Sequence, residues 1–251
     1  MVLVLFVLLA QVAPAASVVL DPGHTPSTPG ARSAAGQDEV GYNDRLAAAL
    51  AARLGDLPTS LTRQPGMELT PGARLAAALA ARPALVLSLH HDSVQPGFLE
   101  PASDRPVCSR FRGFSLFVSW QGRRPQIAFR LARRLSRALR EDGRVPTEHH
   151  AMPIPGEGRP WLDRPAGIHE GSYIRLVREL AQADVPAVLL EAGVLVHPEE
   201  ERLLADPRRI EDLASALASA IRAHLEAEAA LRRLFSWPGP SLLAPWAGYR
   251  E

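Results

Sequence analysis

Four apolar runs alternate with helix-period segments along this chain, and that alternation constrains the fold more than any other feature. The runs fall at 17–21, 84–90, 113–119 and 186–191. Each is short, rich in Val, Leu or Phe, and bounded by polar or turn residues, the pattern of a buried strand. Between them, 39–54 carries Leu46, Leu50 and Leu54 on one helical stripe and stops at Gly55. A short Ala/Leu helix is expected at 73–82. At 125–141, Ile127, Leu131, Leu135 and Leu139 repeat at helical spacing, with Pro125 in the first turn and Gly143 beyond the last. Further helices are expected at 172–181 and after Asp206-Pro207, where Ile210, Leu213, Leu217 and Ile221 share a face. This order predicts an α/β fold of three layers, α/β/α, around a mostly parallel sheet. No linker, repeat or low-complexity block interrupts 17–234, so a single domain is expected there.

Residues 1–16 read as a secretory signal peptide. The apolar core from Val2 to Ala10 is too short to span a bilayer, and Ala13-Pro14-Ala15 suits signal peptidase. Export is the expectation that follows, with an uncleaved anchor or a misassigned start as alternatives. Residues 235–251 hold too many Pro and Gly for a helix and read as a surface tail pinned by Trp237 and Trp246. A formal net charge of +1 offers no bulk electrostatic basis for binding nucleic acid or a membrane surface. All 28 basic residues are arginine, which reads as composition bias, so Arg133, Arg134 and Arg137 are taken as a solvated helix face. Cys108 is the only cysteine, which excludes an intrachain disulfide and a cysteine-based zinc cluster.

Three of the four strands lead into residues able to bind a metal or move a proton. The first passes through Asp21-Pro22-Gly23 to His24, the second reaches His90, His91 and Asp92, and the last is apolar until Glu191. Carboxyl ends of parallel strands share one edge, where open α/β sheets bind ligands. Glu39 opens the first helix, where the helix dipole favours a carboxylate, and the loop before it can fold back over the same edge. Two imidazoles and a carboxylate are a common catalytic zinc set. No compact H-E-x-x-H pattern is present, so spacing alone leaves the choice of ligands open.

A resemblance narrows that choice. In chain order, VVLDPGH (18–24), EVGYN (39–43), LTR (61–63), LVLSLHHDS (85–93) and VPAVLLEAGVLVHPEEE (185–201) resemble the zinc-dependent N-acetylmuramoyl-L-alanine amidases of bacterial cell walls, the type 3 catalytic domain. The resemblance implies that His24, Glu39 and His90 hold Zn2+ and that Glu191 is the catalytic acid-base. It implies hydrolysis of the amide between N-acetylmuramic acid and L-alanine in peptidoglycan or muropeptides, in the periplasm or cell envelope. An activator protein of unknown identity is a further partner to consider. The chain departs from the family at His91, where a small residue is usual, in the loop TPSTPGARSAAG, and across 145–171.

The remaining polar residues receive plainer readings. His91 should face away from His90 and be structural, because neighbouring strand residues point to opposite faces. Asp92 is expected to orient a ligand imidazole. The Pro/Gly-rich segment 145–171 reads as a loop near the cleft, with His149 and His150 exposed, and His197 and His224 read as structural. Two other functions stay open. One is a zinc carboxypeptidase-like hydrolase of wall peptides, with Arg159 or Arg164 clamping a terminal carboxylate. The other is a degenerate, non-catalytic peptidoglycan-binding module, against which the intact His24, Glu39, His90 and Glu191 count.

Overall fold

The computed structural model describes residues 17–101 and 105–236. The leader at 1–16 and residues 237–251 of the tail lie outside the described residues. The chain builds β1 (Val18–Pro22), α1 (Glu39–Leu54), β2 (Thr59–Leu61), α2 (Pro71–Ala80), β3 (Leu85–Asp92) and β4 (Ser115–Val118). It continues through α3 (Pro125–Glu141), β5 (Trp161–Asp163), β6 (Ile168–Glu170), α4 (Arg175–Gln182), β7 (Ala187–Val194), α5 (Pro198–Ala205) and α6 (Pro207–Ser236). The sheet has seven strands in the order β2-β1-β3-β7-β4-β6-β5. Pairing is parallel from β2 through β7 and again between β4 and β6, but antiparallel where β4 meets β7 and β5 meets β6. The predicted three-layer, mostly parallel α/β architecture is therefore what forms.

Alternation along the strands divides the core between the two faces. Val18, Leu20, Leu85, Leu87, Leu89, Val188 and Leu190 pack with Leu46 and Leu50 of α1, Leu131 and Leu135 of α3, and Leu213 and Leu217 of α6. The intervening Val19, Val86 and Ala187 pack with Leu75 and Ala78 of α2 and Leu180 of α4. Fully burying each of these leucines contributes about 1.5–3 kcal/mol, so the helical stripes legible in the sequence dominate the folding energy.

The strands containing His90 and Glu191 run further than expected. β3 continues to Asp92 and β7 to Val194, so His90 and Glu191 lie within strands and not at their tips. α6 runs two residues into the segment read as tail, ending at Ser236. The segment 145–171 is more than a loop: it supplies β5, β6 and two short 3-10 turns. β2, β5 and β6 are three residues each, too short to carry a period, and exist because neighbouring strands pair with them.

Candidate metal centre

Three elements deliver His24, Glu39 and His90 to one place. β1 brings the chain to Gly23, whose amide donates to Leu89 O at 2.9 Å, and His24 follows at φ 64°, in the left-handed region. That conformation costs an ordinary residue about 1–3 kcal/mol, so the surroundings must impose it. Buried Arg63 does so, donating through Nε to His24 O at 2.7 Å and through Nη2 to Gly23 O at 2.9 Å. Arg63 is itself held by Asp44 Oδ1 at 2.8 Å. The aspartate before the Pro-Gly turn is explained in the same way. Asp21 is fully buried and accepts from Thr62 Oγ1 at 2.6 Å and Ser88 Oγ at 2.7 Å, with Arg74 Nε at 3.1 Å. Arg63→Lys is expected to leave the chain folded while weakening metal affinity on the order of 10- to 100-fold, measured by chelator competition.

At the centre, Glu39 Oε2 lies 3.1 Å from His24 Nε2 and Glu39 Oε1 lies 3.1 Å from His90 Nδ1. His24 Nδ1 is 3.2 Å from Thr28 O, an acceptor only, so Nδ1 is the donor there and Nε2 is the nitrogen that faces the carboxylate oxygen. Two lone pairs facing across such a distance need a proton or a cation between them. One donor atom from each of the three residues lies within 4.8 Å of the others. Two glycines leave the room: a Cβ at Gly23 would sit 2.2 Å from the His90 ring, and one at Gly30, φ +81°, would sit 2.3 Å from Glu39 Oε2. Spacing, donor chemistry and the cradle fit a zinc-type divalent ion.

Glu39 is placed by more than the helix dipole. Its Oε2 accepts from Ala31 N at 2.9 Å, and its Oε1 accepts from Asn43 Nδ2 at 3.1 Å and His91 N at 3.2 Å. Burial pushes the Glu39 carboxyl up, but the two facing imidazoles outweigh it and hold the group well below the usual carboxylate range. His91 turns to Asn43 Oδ1, 2.8 Å from its Nδ1, and packs beside Tyr42. Burial pushes its pKa down to about 3, so it stays neutral. His91→Ala is therefore expected to retain the metal and to lose about 1–3 kcal/mol of stability through the unpaired Asn43 amide, measured by denaturant unfolding.

Glu191 stands beside His90 because β7 pairs with β3 in parallel, His90 opposite Glu191. Its Oε2 is buried without a hydrogen-bond partner. Burial, then the charges of Asp92 and Glu39, raise its carboxyl well above the ordinary value. A cleft of about 310 Å³ joins His24, Glu39, His90, Asp92 and Glu191 with His150, Glu157, Arg159 and Tyr173. A larger hollow of about 790 Å³ lies along α3 and α6, where Arg130 and Arg133 are paired with Glu228 and Asp163.

A bulge after His90 shifts the register, so that Asp92 pairs with Val194. Asp92 then orients no ligand imidazole of the first cluster; its Oδ2 meets His150 Nε2 at 2.7 Å and His149 Nε2 at 3.0 Å. Those two histidines are not exposed: the His149 side chain is fully buried and that of His150 is 12% exposed. Segment 145–171 contributes His150, Gly156, Glu157 and Arg159 to the cleft lining, in keeping with a Pro/Gly-rich segment near the cleft, although its histidines turn inward. Of the two candidate clamps, Arg159 lines the cleft and lies 3.8 Å over the Tyr173 ring, whereas exposed Arg164 pairs with Glu148.

This geometry defines a three-layer α/β protein with a His-Glu-His donor set and a neighbouring carboxylate in one cleft. Residues 18–223 match the family model of N-acetylmuramoyl-L-alanine amidases, and the chain belongs to that family. No curated protein matches it. Among solved structures it is similar to the amidase Ami1 from Mycobacterium smegmatis, with 22% identity over 84% of this chain and 97% of that one, TM-score 0.66. An amidase from Clostridium difficile 630 aligns at 17% identity over 86% of this chain and 100% of that one, TM-score 0.66. The CwlD amidase from Clostridioides difficile, solved with the GerS lipoprotein, aligns at 19% identity over 84% of this chain and 99% of that one, TM-score 0.59.

Proposed function

We propose that this protein hydrolyses the amide between N-acetylmuramic acid and L-alanine in peptidoglycan, with zinc held by His24, Glu39 and His90. The observation that carries the reading is the convergence of those three side chains beside Glu191 in a chain of this family. A zinc ion supplies Lewis acidity, which polarises an amide carbonyl and acidifies water. Three protein ligands, not four, suit a catalytic site.

The chain's own contribution centres on Glu191. Its Oε2 makes no protein hydrogen bond and is free to take a proton from the attacking water. The same carboxyl then gives that proton to the leaving nitrogen of L-alanine, and its raised pKa makes it a competent acid as well as a base. Glu39, His24 and His90 are fixed by the hydrogen bonds described above, so the donor set needs little rearrangement on binding. The substrate and the leader-like sequence at 1–16 together support export to the periplasm or cell envelope. A protein activator belongs to the same reading, since one structurally similar amidase is seen with a lipoprotein.

Arg159 favours a second reading, a zinc carboxypeptidase-like hydrolase of wall peptides, because it places a cation in the cleft where a terminal carboxylate could bind. Mass spectrometry of muropeptides digested with the purified protein separates the two. The amidase releases a free stem peptide that begins at L-alanine. A shortened stem still attached to the glycan would establish the carboxypeptidase instead.

A further inference from the structure

We propose that Asp92, His149 and His150 form a second divalent-cation site in the same cleft, with a donor set separate from the first. One donor atom from each lies within 4.8 Å of the others: Asp92 Oδ2 and the Nε2 atoms of both histidines. Two imidazoles and one carboxylate suit zinc and its first-row neighbours.

The far sides of both rings are already engaged, as those of metal-bound histidines usually are. His150 Nδ1 lies 3.1 Å from Glu157 Oε2, a carboxylate that can only accept when ionised, so the proton of a neutral ring sits on Nδ1. Glu157 is in turn held by Gln95 Nε2 at 3.2 Å. His149 Nδ1 lies 3.0 Å from Thr147 Oγ1, which can accept its proton in the same way. With both rings neutral, as metal binding requires, both Nε2 atoms present lone pairs to Asp92 Oδ2.

An independent observation points to a missing partner. His149 is fully buried, and its Nε2, although 3.0 Å from Asp92 Oδ2, makes no hydrogen bond. A buried ring nitrogen left unsatisfied destabilises the fold unless something binds it. Asp92, His149 and His150 come from β3 and from segment 145–171, and a cation shared between them would pin that segment over the cleft.

The competing state is a protonated His150 clamped by Asp92 and Glu157 with no second metal. Titrating the metal-free full-length chain with Zn2+, with the bound metal counted by elemental analysis after desalting, decides between them. Two equivalents are expected in the wild type and one in each of Asp92→Asn, His149→Gln and His90→Ala. A wild-type count of one that survives Asp92→Asn overturns the proposal, and where that buried substitution fails to fold, a count of one that falls to none in His90→Ala overturns it as well. Two equivalents in both wild type and folded Asp92→Asn also overturn it, by placing the second ion elsewhere. A single ion lost in Asp92→Asn but kept in His90→Ala supports this site and refutes the first, so the two readings fail separately.

Discussion

Glu191→Gln is expected to fold, to keep the metal content of the wild type, and to lose turnover by roughly a hundred- to ten-thousand-fold. Glutamine has nearly the same shape but cannot take a proton from water or give one to the leaving nitrogen. The metal content should hold because Glu191 is not among the three clustered donors and sits one strand away from His90. The same substitution should stabilise the metal-free protein. A carboxyl whose folded pKa is raised above its unfolded value of 4.5 supports folding below that pH, and the support is lost as pH rises through the folded value. Glutamine carries no such dependence, so its stability advantage over the wild type should widen as pH rises from 4.5 towards neutrality. Unfolding in denaturant across that range, beside zinc analysis and turnover, checks all three expectations. Lost zinc would recast Glu191 as a ligand, and near-normal turnover would remove it from the mechanism.

Stripping the metal should have an effect at least as large. Chelation is expected to abolish hydrolysis, and added zinc to restore it, because a Lewis acid is worth several kcal/mol at a developing charge, on the order of a thousandfold or more in rate. His90→Ala should be inactive and not rescued by zinc, since it removes one of three donors and leaves Glu39 facing only His24. Circular dichroism should change little in either case. The core of leucines between the sheet and α1, α3 and α6 does not depend on the cluster. Full turnover by protein shown to be metal-free would refute the zinc reading.

The layered fold was legible because its signals are long. Leu46, Leu50 and Leu54, or Leu131, Leu135 and Leu139, repeat often enough that burial of one stripe is the only economical outcome. His24, His90 and Glu191 were legible for a related reason: each interrupts or follows an apolar strand, where a polar residue needs a partner. Glu39 was already a candidate, because the loop from His24 leads to it, but a carboxylate at a helix start also has an ordinary explanation in the dipole, and the resemblance singled it out. Arg63 closes the LTR motif, yet nothing local shows that its guanidinium fixes the backbone of His24, thirty-nine residues away in sequence. His149 and His150 were misread because their partner, Asp92, lies on β3. Only the register shift after His90 and the folding of 145–171 over the cleft bring them together. Long-range pairing of single polar residues leaves no periodic trace.

If water attacks the carbonyl joining muramic acid to L-alanine, digesting purified muropeptides in heavy-oxygen water labels the new carboxylate, and mass spectrometry locates the label. One heavy oxygen is expected in the newly formed lactyl carboxylate of the glycan product, with an unlabelled stem peptide bearing a free L-alanine amine. Label in a new carboxylate of a shortened stem that remains attached to the glycan would contradict it.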